Sequence, residues 1–255
     1  HELRHGMSPS IVQARLGVLQ CDEVRPELKG VFGDYDQMII NAMKIVEPAI
    51  ECTTYRVFED EFPDSVRVCD GWITTGSRHS VNDHTDWTHR LADFVQRIFE
   101  ADRPLVGICY GMQMMAKALG GTVASAANGW NVGMTTSRIH TREAWMGKTV
   151  GATVNLLVSH KEQVTKLPVK ARCIASSESC PNAIIGLGSS MIGFQGHPEF
   201  TPEYARALLE LRRGVIPAER IDAGLASLAM ALDSDHVFRS IVDFFCNAGV
   251  RDRNA

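Results

Sequence analysis

Apolar residues follow two alternating spacings in the first half of the chain. Short apolar runs predict strands over Arg15–Gln20, Cys52–Phe58, Asp70–Gly76 and Pro104–Ile108. Repeats at helical spacing predict helices over Tyr35–Val46, from Asp86 to Ile98 and from Met112 to Leu119. Asp34 and Gln37 fit a capping box at the start of the first helix. This alternation predicts an α/β fold with a mostly parallel central sheet flanked by helices.

The second half of the chain is rich in short β-forming runs. Gly, Ser, Asn and Pro separate these runs, so we expect hairpins and added antiparallel strands that cover one side of the sheet. The runs comprise residues 122–124, 149–158, 173–175, 183–187 and 191–195. Thr201 and Pro202 predict the first turn of a helix. Helical segments from Gly214 to Asn247 then predict a C-terminal helical extension.

No repeat, low-complexity segment or linker divides the chain, which favours a single domain. We assign residues 15–213 to this domain and residues 214–255 to the helical extension, packed on the same domain. Residues 1–14 form an N-terminal segment. His1 to Gly6 precede a methionine without any periodicity, and a vector-derived origin is one interpretation of them.

Composition and charge narrow the class of protein. With 255 residues, 45% of them hydrophobic, the chain can bury a substantial core. The formal net charge of −4 gives no basic surface for nucleic acid, and no apolar run has the length of a bilayer span. The seven cysteines form no Cys-x-x-Cys pair, so no disulfide framework or metal site is expected. We expect a cytoplasmic protein without cofactor, nucleic-acid partner or membrane partner.

The first candidate for chemistry is Cys109, which follows a buried strand and precedes a helix. Gly107 and Gly111 flank it, as expected at a tight strand-to-helix turn where larger side chains would clash. This is the arrangement of a nucleophile elbow, and the positive end of the helix stabilises a thiolate. The alternative is a small buried cysteine between two packing glycines. Motifs elsewhere in the chain are needed to choose between these two interpretations.

A nucleophilic cysteine needs a base, and His197-Pro198-Glu199 supplies a candidate. His197 ends a strand-like run on a turn stiffened by proline, and Glu199 can orient one nitrogen of its imidazole. Considered alone, Glu199 could equally be a structural carboxylate near the start of the next helix. Together, Cys109, His197 and Glu199 favour a catalytic triad.

These motifs resemble those of class I glutamine amidotransferases. Two further segments fit the same family: Ile73–Val81 is similar to its oxyanion loop, and Val158–Thr165 to the glutamine-site segment of GMP synthetase amidotransferase domains. The resemblance spans roughly residues 15 to 213, with four motifs in the family's order.

The resemblance implies a mechanism. Cys109 would attack the γ-carboxamide of glutamine or of a γ-glutamyl compound, and His197 would take the thiol proton and return it to the leaving amine. Glu199 would orient His197, and water would hydrolyse the γ-glutamyl thioester. Two further groups of residues are implied for the site. The backbone N–H groups of Ser77 and Tyr110 would form the oxyanion hole, and the substrate-binding residues would be Gly76, Gln113, Ser159 and His160.

The chain departs from the family pattern at three places. In the oxyanion loops of this family a second glycine is common at the position of Ser77, and a proline at the position of Arg78. We therefore expect the loop to be less rigid here. Lys161 and Glu162 replace a Gly-Asp pair, which bears on the shape of the substrate pocket. Ser159 and His160 also fit ordinary polar residues at a strand end.

Three functions remain open. The first is a stand-alone amidohydrolase that acts on glutamine or another γ-glutamyl amide, which we favour because free-standing relatives with such tails include γ-glutamyl peptidases. The second is an ammonia-supplying subunit of a separate synthetase, since the chain carries no nucleotide fingerprint of its own. The third is a binding or regulatory module without turnover, against which the intact triad argues.

Overall fold

The computed structural model describes residues 14–148 and 150–253. The predicted N-terminal segment therefore lies outside the described residues except for Ala14, as do Thr149 and residues 254–255. The described strands are β1 Arg15–Gln20, β2 Glu51–Arg56, β3 Gly71–Thr74, β4 Leu105–Ile108, β5 Thr122–Ser125, β6 Asn131–Ile139, β7 Thr153–His160, β8 Glu162–Lys166, β9 Ala171–Ser176, β10 Ile184–Leu187 and β11 Met191–Phe194. The described helices are α1 Pro26–Phe32, α2 Tyr35–Val46, α3 Asp86–Glu100, α4 Tyr110–Ala118, α5 Pro202–Leu211, α6 Ala218–Ser227 and α7 Ser234–Arg253.

Within the described ranges, nine strands form one sheet in the order β2-β1-β3-β4-β11-β10-β9-β6-β7. The pairs from β2 to β11 are parallel, and the pairs from β11 to β7 are antiparallel. Strands β5 and β8 pair antiparallel in a small second sheet. The predicted α/β class, with a parallel centre and added antiparallel strands, is confirmed.

Helices pack on both faces of the parallel part of the sheet. One face buries apolar residues of α2 and α7, and the other buries those of α3 and α4. A third apolar cluster joins α1, α5 and α6. The C-terminal helices therefore pack on the rest of the chain, while the domain boundary at residue 213 stays a prediction. In the described part of the chain, no helix has both the length and the apolar character needed to cross a membrane.

Most predicted elements are confirmed, and the differences have local causes. The capping box is present, because Asp34 and Gln37 bond each other's backbone N–H groups across the first turn of α2. The strand predicted over Cys52–Phe58 ends at Arg56 in a single 3-10 turn. The short helix α1 was not predicted; it begins at Pro26 and has one buried residue, Leu28, so its apolar periodicity is too weak to detect.

The prediction for the second half of the chain is wrong in one respect. Strands β10, β9, β6 and β7 do not cover one side of the sheet but extend its edge beyond β11, whereas β5 and β8 form a separate small sheet. Strands β6 and β8 were also missed, because each carries several polar side chains that face solvent. Strand β6 lies in the antiparallel extension and β8 in the small second sheet, and one face of an antiparallel sheet can remain solvated.

The topology brings the candidate functional residues together at one edge of the sheet. Strands β3, β4 and β11 are parallel neighbours, so their carboxyl ends lie side by side. Gly76, Cys109 and His197 follow these three ends. In open α/β sheets ligands bind at the carboxyl edge, so these three residues mark the candidate site.

Candidate active site

Cys109 lies on the turn that joins β4 to α4, in a strained backbone conformation. Its φ of 51° is in the left-handed region, which residues with a side chain rarely adopt. The Cys109 N–H donates to the Phe194 carbonyl at 2.7 Å, which holds the turn against β11. A Cβ at Gly107 would lie 2.7 Å from the carbonyl carbon of Gly111, and one at Gly111 would overlap Thr74. The predicted strand-to-helix turn is confirmed, and close packing requires both glycines.

His197 is held and oriented by groups on three sides. Its Nδ1 lies 2.5 Å from Glu199 Oε1, and both side chains are almost fully buried. The backbone N–H of His197 donates to the Leu157 carbonyl at 2.7 Å, and its ring stacks on Phe200 with centroids 3.9 Å apart. Because Glu199 occupies Nδ1, Nε2 is the ring nitrogen left for another partner.

The imidazole of His197 and the thiol of Cys109 converge beside Gly76. A Cβ at Gly76 would lie 2.8 Å from His197 Cε1 and 3.7 Å from Cys109 Cβ. Burial lowers the pKa of His197, but the Glu199 carboxylate and the neighbouring Cys109 raise it, and the net shift is upward. A protonated imidazole next to a cysteine stabilises the thiolate form of that cysteine.

The loop after β3 presents Ser77 and is fixed by an ion pair. The Arg78 guanidinium donates to Asp22 through Nε at 2.8 Å and Nη2 at 2.9 Å. The backbone N–H of Arg78 donates to the same carboxylate at 2.9 Å. The N–H groups of Ser77 and Tyr110 donate to no acceptor in the part of the chain that the structure describes. Two free donors at a loop and a helix start can bind a developing oxyanion.

A chain of side-chain amides connects Cys109 to strand β8. Gln195 Nε2 donates to Cys109 Sγ at 3.4 Å, and Gln113 Nε2 donates to Gln195 Oε1 at 3.2 Å. Gln113 Nε2 also donates to the Glu162 carbonyl at 2.8 Å, and the Glu162 carboxylate accepts from Ser80 Oγ at 2.7 Å. Gln113 therefore lines the cleft, and its amide nitrogen donates to other groups of the protein; its contact with substrate stays a prediction.

Ser159 and His160 end β7 in the same cleft, and their side chains bind protein groups. Ser159 Oγ accepts from Arg212 Nη1 at 2.9 Å, and His160 Nε2 lies 3.2 Å from Gln163 Oε1. His160 Nδ1 is buried without a partner among the described residues. Burial lowers the pKa of His160 to about 4, so its imidazole is neutral near pH 7.

All of the predicted site residues except buried Tyr110 and Glu199 line a single open cleft of about 500 Å³. Cys109 and His197 lie in it together with the loop after β3 and the turn between β7 and β8. The remaining lining residues come from other elements and are mostly aromatic, apolar or cationic: Arg25, Tyr35, Ser125, Trp130, Phe200, Leu208 and Arg212. Among the described residues, no group of histidine, cysteine, aspartate and glutamate side chains could hold a metal ion.

A family model described as glutamine amidotransferase class-I matches residues 35–212. The chain belongs to this family. The match includes the turn at Cys109, the loop at Ser77 and the His197-Pro198-Glu199 segment, so the predicted resemblance is confirmed.

Relatives in the glutamine amidotransferase family differ in name and length. Gamma-glutamyl peptidase 4 of Arabidopsis thaliana is 26% identical over 179 residues, covering 68% of this chain and 70% of the relative. A glutamine-hydrolyzing GMP synthase of Alkalilimnicola ehrlichii is 34% identical over 191 residues, covering 68% of this chain and 34% of the relative. A solved glutamine amido transferase from Methylobacillus flagellatus superposes with a TM-score of 0.73 at 19% identity, covering 93% and 96% of the two chains.

The structure adds residues to this amidotransferase site that the sequence reasoning missed. Asp22 contacts Arg78 in the loop after β3, and Gln195 contacts Cys109. Arg25 and Arg212 enter the cleft from beyond the recognised motifs. Gln195 could have been noticed, since it lies two residues before His197. Asp22 carries no sequence signal because its partner Arg78 lies 56 residues away, and Arg25 carries none because the other residues of the cleft are distant along the chain.

Proposed function

We propose that the protein hydrolyses the γ-amide of glutamine or of a γ-glutamyl compound through a γ-glutamyl thioester on Cys109. The observation that supports this proposal is the buried arrangement of Cys109, His197 and Glu199 at the base of an open cleft. The family's relatives named gamma-glutamyl peptidase and glutamine-hydrolyzing GMP synthase support amide hydrolysis of this class.

In the first half of the reaction, Cys109 Sγ attacks the γ-carbonyl carbon, and His197 Nε2 holds the thiol proton. The carbonyl oxygen becomes an oxyanion that accepts hydrogen bonds from the Ser77 and Tyr110 N–H groups. The C–N bond then breaks, and His197 gives its proton to the leaving nitrogen. The products of this half are the thioester and free ammonia or an amine.

In the second half, His197 takes a proton from water, and the resulting hydroxide attacks the thioester carbon. The C–S bond breaks, glutamate leaves, and His197 returns the proton to Cys109. Glu199 keeps Nδ1 occupied throughout, so that Nε2 always faces the reacting atoms.

We favour a stand-alone amidohydrolase over a subunit. The chain aligns with 70% of the length of the Arabidopsis gamma-glutamyl peptidase 4, but with only 34% of the Alkalilimnicola GMP synthase. The subunit alternative rests on the higher identity to that synthase. In that case the ammonia acceptor would be a synthetase on another chain. We also propose a cytoplasmic location, supported by seven cysteines that are all unpaired.

The decisive experiment assays the purified chain alone. Ammonia release from glutamine and amine release from γ-glutamyl dipeptides are measured side by side, with Cys109→Ala as the matched control. Turnover by the wild type and none by Cys109→Ala is the expected result. Equal release by both proteins would overturn the mechanism. A second assay adds a synthetase: turnover of glutamine only in its presence would favour the subunit, and a chain inert in both assays would favour a non-catalytic module.

A further inference from the structure

Two arginines in the active-site cleft have no acidic partner in the described part of the chain. Arg25 precedes α1 and Arg212 follows α5, and both line the cleft that holds Cys109. The described residues contain no carboxylate within ion-pair distance of either guanidinium. Arg78, in the same cleft, is by contrast neutralised by Asp22.

The Nε atoms of Arg25 and Arg212 are both buried and hydrogen-bonded to nothing in the described part of the chain. Arg212 is held in place by other contacts: its Nη1 donates to Ser159 Oγ at 2.9 Å, and its guanidinium carbon lies 4.2 Å from the Trp130 ring centroid. A buried donor without an acceptor is costly and calls for an explanation, and a bound anion is one that also suits the charge of these two side chains.

The two arginines also affect each other. Burial lowers the pKa of Arg212, and the positive charge of Arg25 lowers it further. Two neighbouring like charges in a partly desolvated cleft are repulsive, and an anion that binds both removes this repulsion. A guanidinium presents paired donors that match the two oxygens of a carboxylate.

We propose that Arg25 and Arg212 bind a carboxylate on the leaving-group side of a γ-glutamyl substrate, which makes γ-glutamyl peptides the preferred substrates over free glutamine. This proposal rests on the proposed function, because it specifies the substrate of the same site. Both arginines are then specificity residues that contact the part of the substrate released as an amine.

The charge of the substrate favours the leaving-group carboxylate over the α-carboxylate of the glutamyl part. The α-carboxylate lies one carbon from an α-ammonium, so two unpaired arginines would repel that ammonium while attracting the carboxylate. In a γ-glutamyl peptide the leaving residue has its nitrogen in the amide bond, and its carboxylate is an isolated anion. The cleft of about 500 Å³ also has room for a residue beyond the glutamyl group.

The test compares two substrates that differ only in this carboxylate: γ-glutamylglycine and γ-glutamylglycinamide. For the wild type we expect kcat/KM to be about 10- to 100-fold higher for γ-glutamylglycine, the range for hydrogen bonds to a charged group. In Arg25→Gln and Arg212→Gln this ratio should fall towards one, mainly through KM. Arg206→Gln on the exposed face of α5 is the matched control, and it should keep the wild-type ratio.

The change in substrate ratio can be distinguished from a loss of folding. Arg25 makes no capping bond to α1, so Arg25→Gln leaves the start of that helix intact. Arg212→Lys keeps the charge and should retain part of the ratio. Binding to the Cys109→Ala protein, measured by calorimetry, gives a readout without turnover: γ-glutamylglycine should bind more tightly than the glycinamide, and Arg25→Gln should abolish the difference.

The outcomes separate this inference from the proposed function. A wild type that cleaves both substrates equally well overturns the inference and leaves the proposed function standing. Equal losses for glutamine, γ-glutamylglycine and the glycinamide in both arginine variants also overturn it, since they place the arginines at the α-carboxylate. A wild type that cleaves none of the three overturns the proposed function itself.

Discussion

Arg78 and Asp22 form an ion pair across 56 residues that fixes the loop carrying Ser77. The Asp22 side chain is 2% exposed and accepts three hydrogen bonds from Arg78, two from the guanidinium and one from the backbone N–H. Burial raises the pKa of Asp22, but these bonds outweigh it and the pKa is lowered. The ion pair therefore restrains the loop that follows β3 and carries Ser77.

Asp22→Asn should therefore loosen the loop that carries Ser77, the proposed oxyanion loop. We expect kcat to fall by about 10-fold or more, because a donor that is not pre-set stabilises the oxyanion less. Stability should fall by about 1–3 kcal/mol, at the lower end since Arg78 is 44% exposed and solvent screens the pair. Chemical unfolding and steady-state kinetics provide the measurements. Asp60→Asn, which breaks an exposed pair with Arg90, is the control and should cost less than about 1 kcal/mol.

The same pair predicts a pH dependence. A lowered folded pKa means that Asp22 stabilises the protein above its unfolded pKa of about 3.9, and that this contribution is lost as the pH falls through the folded pKa. The stability difference between wild type and Asp22→Asn should therefore shrink below about pH 4. A difference that stays constant down to pH 2 would remove the ion pair as its cause.

Substitutions at Ser77 separate its backbone from its side chain. Ser77→Gly loses only the bond that Ser77 Oγ accepts from the His79 N–H, and we expect activity to be retained. Ser77→Pro deletes the N–H that would bind the oxyanion, and kcat should fall by about 10² to 10³. Circular dichroism must show that both variants fold. An inactive glycine variant together with an active proline variant would exclude this loop as the oxyanion hole.

The substitutions His197→Asn and Glu199→Gln test the triad. His197→Asn removes the base, and we expect thioester formation to become inefficient. Glu199→Gln should be impaired less, because the imidazole keeps a basic nitrogen even when it is less well oriented. Rapid-quench measurement of the thioester distinguishes the two. A Glu199→Gln enzyme as inactive as Cys109→Ala would contradict a purely orienting role, and a fully active one would remove Glu199 from the triad.

Glu199 also predicts a stability profile of the opposite sign to that of Asp22. Burial lowers the pKa of His197, yet Glu199 and Cys109 raise it to about 10. The pairing with Glu199 therefore stabilises the protein fully below the unfolded histidine pKa of about 6.5, and this stabilisation is lost as the pH rises through the folded pKa. The stability difference between wild type and Glu199→Gln should be largest below pH 6.5 and should decrease towards pH 10.

Local signals explain which parts of the site could be predicted. Gly107 and Gly111 each lie two residues from Cys109, and Glu199 lies two residues from His197. Both arrangements are therefore visible in the spacing of the sequence. The ion pair of Asp22 and the cleft position of Arg25 depend on the sheet bringing separate loops together. Individual polar residues in loops carry no periodicity, and no single-sequence pattern distinguishes them from solvated side chains.

Cysteine labelling tests the assignment of the nucleophile. A diazo-ketone analogue of glutamine should alkylate Cys109 alone among the seven cysteines. Burial raises the pKa of five others, to about 11 for Cys52 and about 12 for Cys180, which keeps them as unreactive thiols. Mass spectrometry of the labelled peptides is the measurement, with Cys109→Ala as the unlabelled control. Labelling at Cys173 or Cys180 instead would contradict the assignment.

Gly76→Ala tests whether this glycine serves the substrate or the approach of His197 to Cys109. The added Cβ would lie 2.8 Å from His197 Cε1, too close for any side-chain carbon, so the imidazole must shift away from its position beside Cys109. A displacement of this size should lower kcat by about 100-fold. Gly30→Ala is the control, because its Cβ would meet nothing within 4 Å and alanine favours the helix.

The two interpretations of Gly76 differ in a second measurement. If the glycine only shapes the substrate pocket, Gly76→Ala should raise KM and leave the reaction of Cys109 with iodoacetamide unchanged. If it provides room for the imidazole, the alanine should displace the base that activates the thiol, and the alkylation rate near neutral pH should fall together with kcat. We expect the second result. A variant with wild-type alkylation and a raised KM would return Gly76 to the substrate-binding residues.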